Sequence, residues 1–370
     1  ALPISVPIGS TQAIGPYGAL DMAGNVREWV WNDFNENKAA FGGSWNDSDY
    51  MAALPYHLSP MSRDEFTGFR LAQYLVPDGV RDELLEPVDA VSVDYNELEP
   101  ASDEVYNVLA ETYRYDSTNL NPSIEEFIEE NPEWTQEKIN LNTDYDDERF
   151  AVYLLKPRTP GPHEVVVYFG GLNLFYSNRP SESFPFEQYD FILKSGRALA
   201  FPVYEGSFER YAGLYELDHA GLEFAELVRL LVHRWRSDLG RTLDYFETRE
   251  DLVSDSFDYF GMSFGASVAL PLLALEERLK TAVLVIGGFP YLRVPSSVEA
   301  LNFAPRITQP TLMLNGRYDT LFPVATQQLP FFNLLGTPDA DKQHILYDRG
   351  HQAPPRNELV KEAINWLDKY

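Results

Sequence analysis

From about Ala101 onward, short runs of β-branched and aromatic residues alternate with longer stretches whose apolar residues recur at helical spacing. No other feature of the chain restricts the fold as much. Phe150–Leu155 (FAVYLL), Val165–Phe169 (VVVYF) and Ala198–Val203 (ALAFPV) read as strands, as do Phe257–Phe260, Ala282–Ile286, Thr311–Leu314 and His344–Tyr347. Leu222–Phe246 and Ser267–Leu279 read as helices between them. Strands that alternate with helices predict an α/β fold built on a mostly parallel sheet with helices on both faces.

Residues 1–75 are of another kind, rich in Gly, Trp, Asn and Asp and poor in helical periodicity, and predict a small loop-rich module. An acidic stretch with prolines near both ends follows at Val76–Pro100. The expected organisation is therefore a module over 1–75, a linker and connecting segment over 76–133, and the α/β domain over 134–370. The chain carries 57 acidic against 29 basic side chains, a formal charge of -28, which repels both a phosphate backbone and an anionic membrane face. We therefore expect no nucleic-acid and no membrane partner. Cysteine is absent, which removes disulfides, thiolate metal sites and cysteine nucleophiles together. No apolar stretch approaches the roughly 18 residues of a membrane span. The opening ALPISVPIGSTQ has no signal-peptide pattern and no initiator Met, so the expectation is a soluble chain cut or processed from something longer.

The strand at Phe257–Phe260 runs straight into Gly261, Met262, Ser263, Phe264 and Gly265, ahead of a helical run. A G-x-S-x-G at a strand-to-helix turn is the nucleophile elbow of α/β-hydrolases. The turn leaves no room for a Cβ at either glycine, and a serine at a helix N-terminus meets the positive end of the dipole. Such a serine needs a base and an orienting acid, in the chain order Ser, Asp, His. Asp319 follows strand TLML and His351 follows strand HILY, each in a turn at a strand end. Asp348 is the rival acid, and the other five histidines lie in strands, helices or loops less suited to the task. The oxyanion hole is expected from the Phe264 amide and that of Leu172, with Gly171 a near alternative, in the VVVYFGGLN turn. Tyr204 and Arg210, in the YEGSFERYAGLY segment after a strand, are the expected substrate-binding side chains.

The segments VVVYFGGLN, GRALAFPVYEGSFERY, DYFGMSFGAS, PTLMLNGRYDTLFP, LLGTP and DRGHQAP make residues 134–370 resemble bacterial α/β-hydrolases of the dienelactone hydrolase and acetyl xylan esterase group. That resemblance implies Ser–His–Asp hydrolysis of a small-molecule carboxylic ester with no catalytic cofactor. GPYGALDMAGNVREWVWND, FGGSW and TGFRLAQ resemble the closing part of the formylglycine-generating enzyme (sulfatase-modifying factor) family. Modules of this type precede a hydrolase in bacterial kinase fusions. That family works through paired cysteines, which this chain lacks, so the module is expected to be catalytically dead. The family's calcium ligands map onto Asp21, Gly24, Val26 and Glu28, a set of oxygen donors that suits a structural calcium ion. A turn capped by the two carboxylates accounts for the same residues equally well. Trp29, Trp31 and Trp45 fit either a carbohydrate platform or aromatic packing. Two further functional readings stand beside the esterase: a prolyl-oligopeptidase-like peptidase using the same triad, and a non-catalytic scaffold of a larger signalling protein.

Overall fold

The computed structural model describes residues 5–10, 13–34, 37–47, 51–52, 54–74, 81–88, 93–128, 131–175, 179–211, 224–290 and 294–370. The chain divides into two compact units. The first holds residues 1–92 together with Gly316–Pro323 and Asp348–Gln352; the second holds Val93–Asn315, Val324–Tyr347 and Ala353–Tyr370.

In the first unit a four-stranded sheet runs in the order β3-β2-β1-β4, with β1 at Arg27–Phe34, β2 at Asn37–Phe41, β3 at Tyr56–Leu58 and β4 at Thr67–Phe69. β1 pairs antiparallel with β2 and parallel with β4, and a register shift interrupts the β1–β2 ladder between Trp29 and Asp33. Its small core gathers Ala40, Met51, Tyr56 and Leu58 with Leu321 and Phe322. Beneath the sheet an ion pair is almost fully enclosed: the Arg27 guanidinium donates to Asp47 at 2.7 and 2.9 Å, and each side chain is 4% exposed. Breaking such a pair on one side costs about 3–5 kcal/mol, because the surviving charge stays buried without its partner. Packing accounts for two of the three tryptophans: Trp29 lies against the core and Trp45 tilts against Phe66 at 5.1 Å, while Trp31 is 75% exposed.

The second unit is built on a nine-stranded sheet in the order β13-β12-β11-β10-β8-β9-β7-β6-β5. Its strands are β5 Ser123–Ile128, β6 Trp134–Asn142, β7 Arg149–Pro157, β8 His163–Phe169, β9 Ala198–Pro202, β10 Leu252–Met262, β11 Leu279–Val285, β12 Thr311–Gly316 and β13 Lys342–Tyr347. From β9 through β12 the pairing is parallel, whereas β5, β6, β7 and β9 pair antiparallel. β8 is buried along almost its whole length, which is why it reads as an unbroken apolar run rather than an alternating one. The expected linker segment 76–133 contains the helix Asp103–Glu111, capped by Ser102, and strand β5.

The strand order places the site. From β8 the chain passes through the short helix Asp190–Lys194 to β9 on one side, then returns through the long helix Phe224–Phe246 to β10 on the other. Right-handed crossovers in opposite directions put these two helices on opposite faces of the sheet. The order therefore reverses at β8, and the crevice beyond the carboxyl ends of β8 and β10 is the switch point where open α/β sheets bind ligands. Among the described residues no helix is long and apolar enough to cross a membrane.

Candidate active site

Ser263 stands at the end of β10, at the switch point, with φ of 52°. A non-glycine residue in that region is strained, and such strain concentrates at functional positions. The flanking glycines make the turn possible. A Cβ at Gly265 would lie 2.2 Å from the Phe169 carbonyl oxygen, and one at Gly261 would lie 2.6 Å from that of Gly265. Two hydrogen bonds hold the turn: Gly265 N–H donates to the Gly170 carbonyl at 3.1 Å, and the buried Tyr259 hydroxyl donates to the Gly265 carbonyl at 2.7 Å. The loop after β8 lies alongside, since a Cβ on Gly171 would meet Ser263 Cβ at 3.6 Å. Leu172 opens a 3-10 turn and Phe264 is second in another. The first amides of such turns have no partner within the turn. The Phe264 ring is fixed edge-on between Phe175 and Trp235, at 5.2 and 5.5 Å.

The predicted helix Ser267–Leu279 is a short helix at Leu270–Leu275, and Ser263 instead begins the 3-10 turn Ser263–Ala266. Ser267 leaves helical geometry with φ of -139° and ψ of -83°, so the serine does not open the α-helix that follows. Local N–H groups, rather than a macrodipole, are what this turn offers to developing negative charge.

The histidine and the acid belong to the first unit. His351 Nδ1 donates to Asp319 Oδ2 at 2.9 Å, with their side chains 4% and 0% exposed. Asp319 Oδ1 accepts the Leu321 and Phe322 amides at 2.9 and 3.1 Å, so the carboxylate is locked on both sides. The two turns are joined through their backbones: Tyr318 N–H donates to the Arg349 carbonyl at 2.9 Å. Asp348, the rival acid, is an exposed partner of Arg317 at 2.9 Å.

The remaining histidines have other surroundings. His344 in β13 meets Gln328 at 3.2 Å, and burial pushes its imidazole down to about 4. His233 stacks on Tyr113 at 4.0 Å and is also lowered by burial. His163 Nδ1 donates to the Gly196 carbonyl. His57 is a backbone member of β3, and His219 falls outside the described residues, as does Tyr215 at the end of the YEGSFERYAGLY segment.

Tyr204 and Arg210 are interior residues. Tyr204 stacks on Phe169 at 4.2 Å and is 3% exposed. The Arg210 guanidinium is taken up by Asp238, Glu205, the Tyr145 hydroxyl and the Val203 carbonyl. The geometry gives both side chains a structural task rather than a place on a substrate surface. In the expected calcium turn, Asp21 Oδ2 accepts Gly9 N–H at 2.5 Å and both Glu28 oxygens accept from Arg70. The two carboxylates are thus engaged by an amide and a guanidinium. No group of three or more His, Asp or Glu among the described residues is placed to hold a metal.

Residues 4–75 match the sulfatase-modifying factor enzyme 1-like domain family. The acetyl xylan esterase from Paenibacillus sp. R4 superposes with a TM-score of 0.54 at 21% identity, over 74% of this chain and 96% of that one. This chain carries an α/β-hydrolase fold joined to a sulfatase-modifying-factor-like domain. Acetyl xylan esterase 1 from Thermoanaerobacterium sp. JW/SL YS485 shares the fold with a TM-score of 0.57 at 16% identity, again over 74% and 96% of the two chains. Cutinase 2 of Thermobifida cellulosilytica is 29% identical over 147 residues, 36% of this chain. The match spans 55% of that relative's length.

Proposed function

We propose that the chain is a serine carboxylic-ester hydrolase working through an acyl-enzyme. The observation that carries the proposal is the Asp319–His351 pair, a buried carboxylate locked by two amides and bonded to Nδ1 of an imidazole. A carboxylate on Nδ1 fixes the tautomer in which Nε2 accepts a proton. Ser263, at its glycine-flanked strained turn, is the nucleophile. His351 Nε2 takes the Ser263 proton as Oγ attacks the ester carbonyl, then returns it to the leaving alcohol. Water repeats the cycle and frees the acid. The Phe264 and Leu172 amides carry the oxyanion; losing one such donor typically costs about 10²–10³ in kcat. The cutinase and acetyl xylan esterase neighbours support a carboxylic ester as the substrate class. The domain at 4–75 contributes no thiol chemistry, because the chain has no cysteine.

Hydrolysis of p-nitrophenyl acetate by the full chain, beside its Ser263→Ala and His351→Ala variants, tests the proposal. Turnover by the parent with a loss of about 10³-fold or more in each folded variant supports it. A folded Ser263→Ala protein as active as the parent overturns it.

A further inference from the structure

Two short segments, Gly316–Pro323 and Asp348–Gln352, cluster with residues 1–92 in the first unit. They are the turns that bear Asp319 and His351. What folds them there is visible residue by residue. Leu321 and Phe322, whose amides grip Asp319 Oδ1, insert their side chains into the core formed by Ala40, Met51, Tyr56 and Leu58. The direction of those amides is thus set by where the two side chains pack. The Phe322 ring also lies 5.5 Å from the His351 ring. On the histidine side, Gly350 lies against Tyr56, since a Cβ there would be 3.9 Å from Tyr56 Cδ1. Gln352 Nε2 donates to Asp47 Oδ1 at 3.4 Å. Asp47 is itself held by Arg27 and by Ser44 N–H at 2.7 Å. The Arg27 guanidinium closes the set, sitting 4.0 Å above the Tyr56 ring.

Tyr56 therefore touches the core under the acid turn, the glycine before the histidine and the ion pair behind the residue after it. Beside this contact lies a cavity of about 380 Å³, lined by Tyr56, Tyr318, Arg349, Gly350 and Gln352 among others. On that side the turns face open space with the Tyr56 ring at its edge.

We propose that Tyr56 is a positioning residue for the acid and the base, and that the sulfatase-modifying-factor-like domain is retained as a mould for these two turns. The inference rests on the triad proposed above. Loss of the ring merges its volume with the cavity and lets both turns relax. A displacement of about 1 Å at reacting groups costs on the order of 10²-fold in rate.

The test uses the full chain and compares Tyr56→Ala, Tyr56→Phe, Ser263→Ala and His351→Ala by thermal melt and by kcat and KM for p-nitrophenyl acetate. The expected result is a folded Tyr56→Ala protein with kcat lowered about 10- to 100-fold and KM within about threefold of the parent. Tyr56→Phe keeps the ring and is expected within about twofold of the parent in both constants. Parental kcat in folded Tyr56→Ala overturns the inference, as does an equal loss in Tyr56→Phe. Should Tyr56→Ala fail to melt cooperatively, the same split measured on Tyr56→Leu decides. Death of the Ser263 and His351 variants with an indifferent Tyr56 leaves the hydrolase standing and removes this inference alone. Turnover surviving Ser263→Ala removes both.

Discussion

Replacing Asp319 by Asn isolates what the carboxylate does, because the site itself dictates how the amide must sit. Oδ1 receives two backbone N–H groups, from Leu321 and Phe322, and Oδ2 receives His351 Nδ1–H. An asparagine must turn its carbonyl oxygen toward the two backbone donors, since its NH₂ there would set donors against donors. Its NH₂ then faces His351 Nδ1, which has to accept. The imidazole proton moves to Nε2, and the nitrogen proposed to take the Ser263 proton becomes a donor. All three hydrogen bonds survive, so folding should change little, with the melt within a few degrees of the parent. The catalytic loss should be about 10³–10⁴ in kcat, or about 4–5.5 kcal/mol of barrier, as expected when the tautomer rather than the geometry is wrong. The assay is ester hydrolysis under saturating substrate from about pH 6 to pH 10, beside Asp348→Asn as a control on an exposed carboxylate. A folded Asp319→Asn within tenfold of the parent, or an Asp348→Asn that falls as far, would rule out this role for the Asp319 carboxylate.

Other outcomes follow from single contacts. Gly265→Ala drives a Cβ to 2.2 Å from the Phe169 carbonyl oxygen, so the elbow must distort; esterase activity should be lost and the melt lowered, and an active, unshifted protein contradicts the tight-turn argument. Asp258 is pushed up to about 7 from 3.8 by burial, aided by Glu164 and opposed by Arg197. Its raised value means that its contribution is full below about 3.8 and is lost as pH rises through about 7. Asp258→Asn should therefore gain stability relative to the parent progressively above about pH 3.8, less at pH 5 than at pH 8, where the gain is on the order of a few kcal/mol in urea denaturation. His344 behaves with the opposite sign: burial lowers it from 6.5 to about 4, so its contribution is present above 6.5 and is lost as pH falls toward 4. His344→Gln should flatten the stability profile across that window, and an unchanged slope would show that another group sets it.

Burial explains which parts of this architecture are legible in the amino-acid order. Strands β8, β11 and β12 are enclosed by helices and therefore read as continuous apolar runs. β5 (SIEEFI) and β6 (WTQEKINLN) lie at the antiparallel end of the sheet, carry charges among their apolar residues, and do not stand out as strands. The elbow is legible because backbone crowding admits nothing but glycine on either side of Ser263. Position at a strand end singles out Asp319 and His351, but choosing Asp319 over Asp348 takes the hydrogen bond itself. Arg210 misleads because its partner Asp238 sits on the long helix, and no local pattern records an ion pair that distant. Tyr56 is invisible for the same reason: a three-residue strand gives no hint that its ring packs with Leu321 and Phe322. Likewise Tyr259 looks like one more core residue of a strand until its hydroxyl is seen holding the Gly265 carbonyl.

A fluorophosphonate reads directly whether Ser263 is an activated nucleophile. Intact mass after brief exposure of the full chain, followed by peptide mapping, should show one adduct, on Ser263. The adduct should be absent from Ser263→Ala and formed far more slowly in His351→Ala. An unlabelled parent, or a label on another residue that persists in Ser263→Ala, would contradict the serine hydrolase.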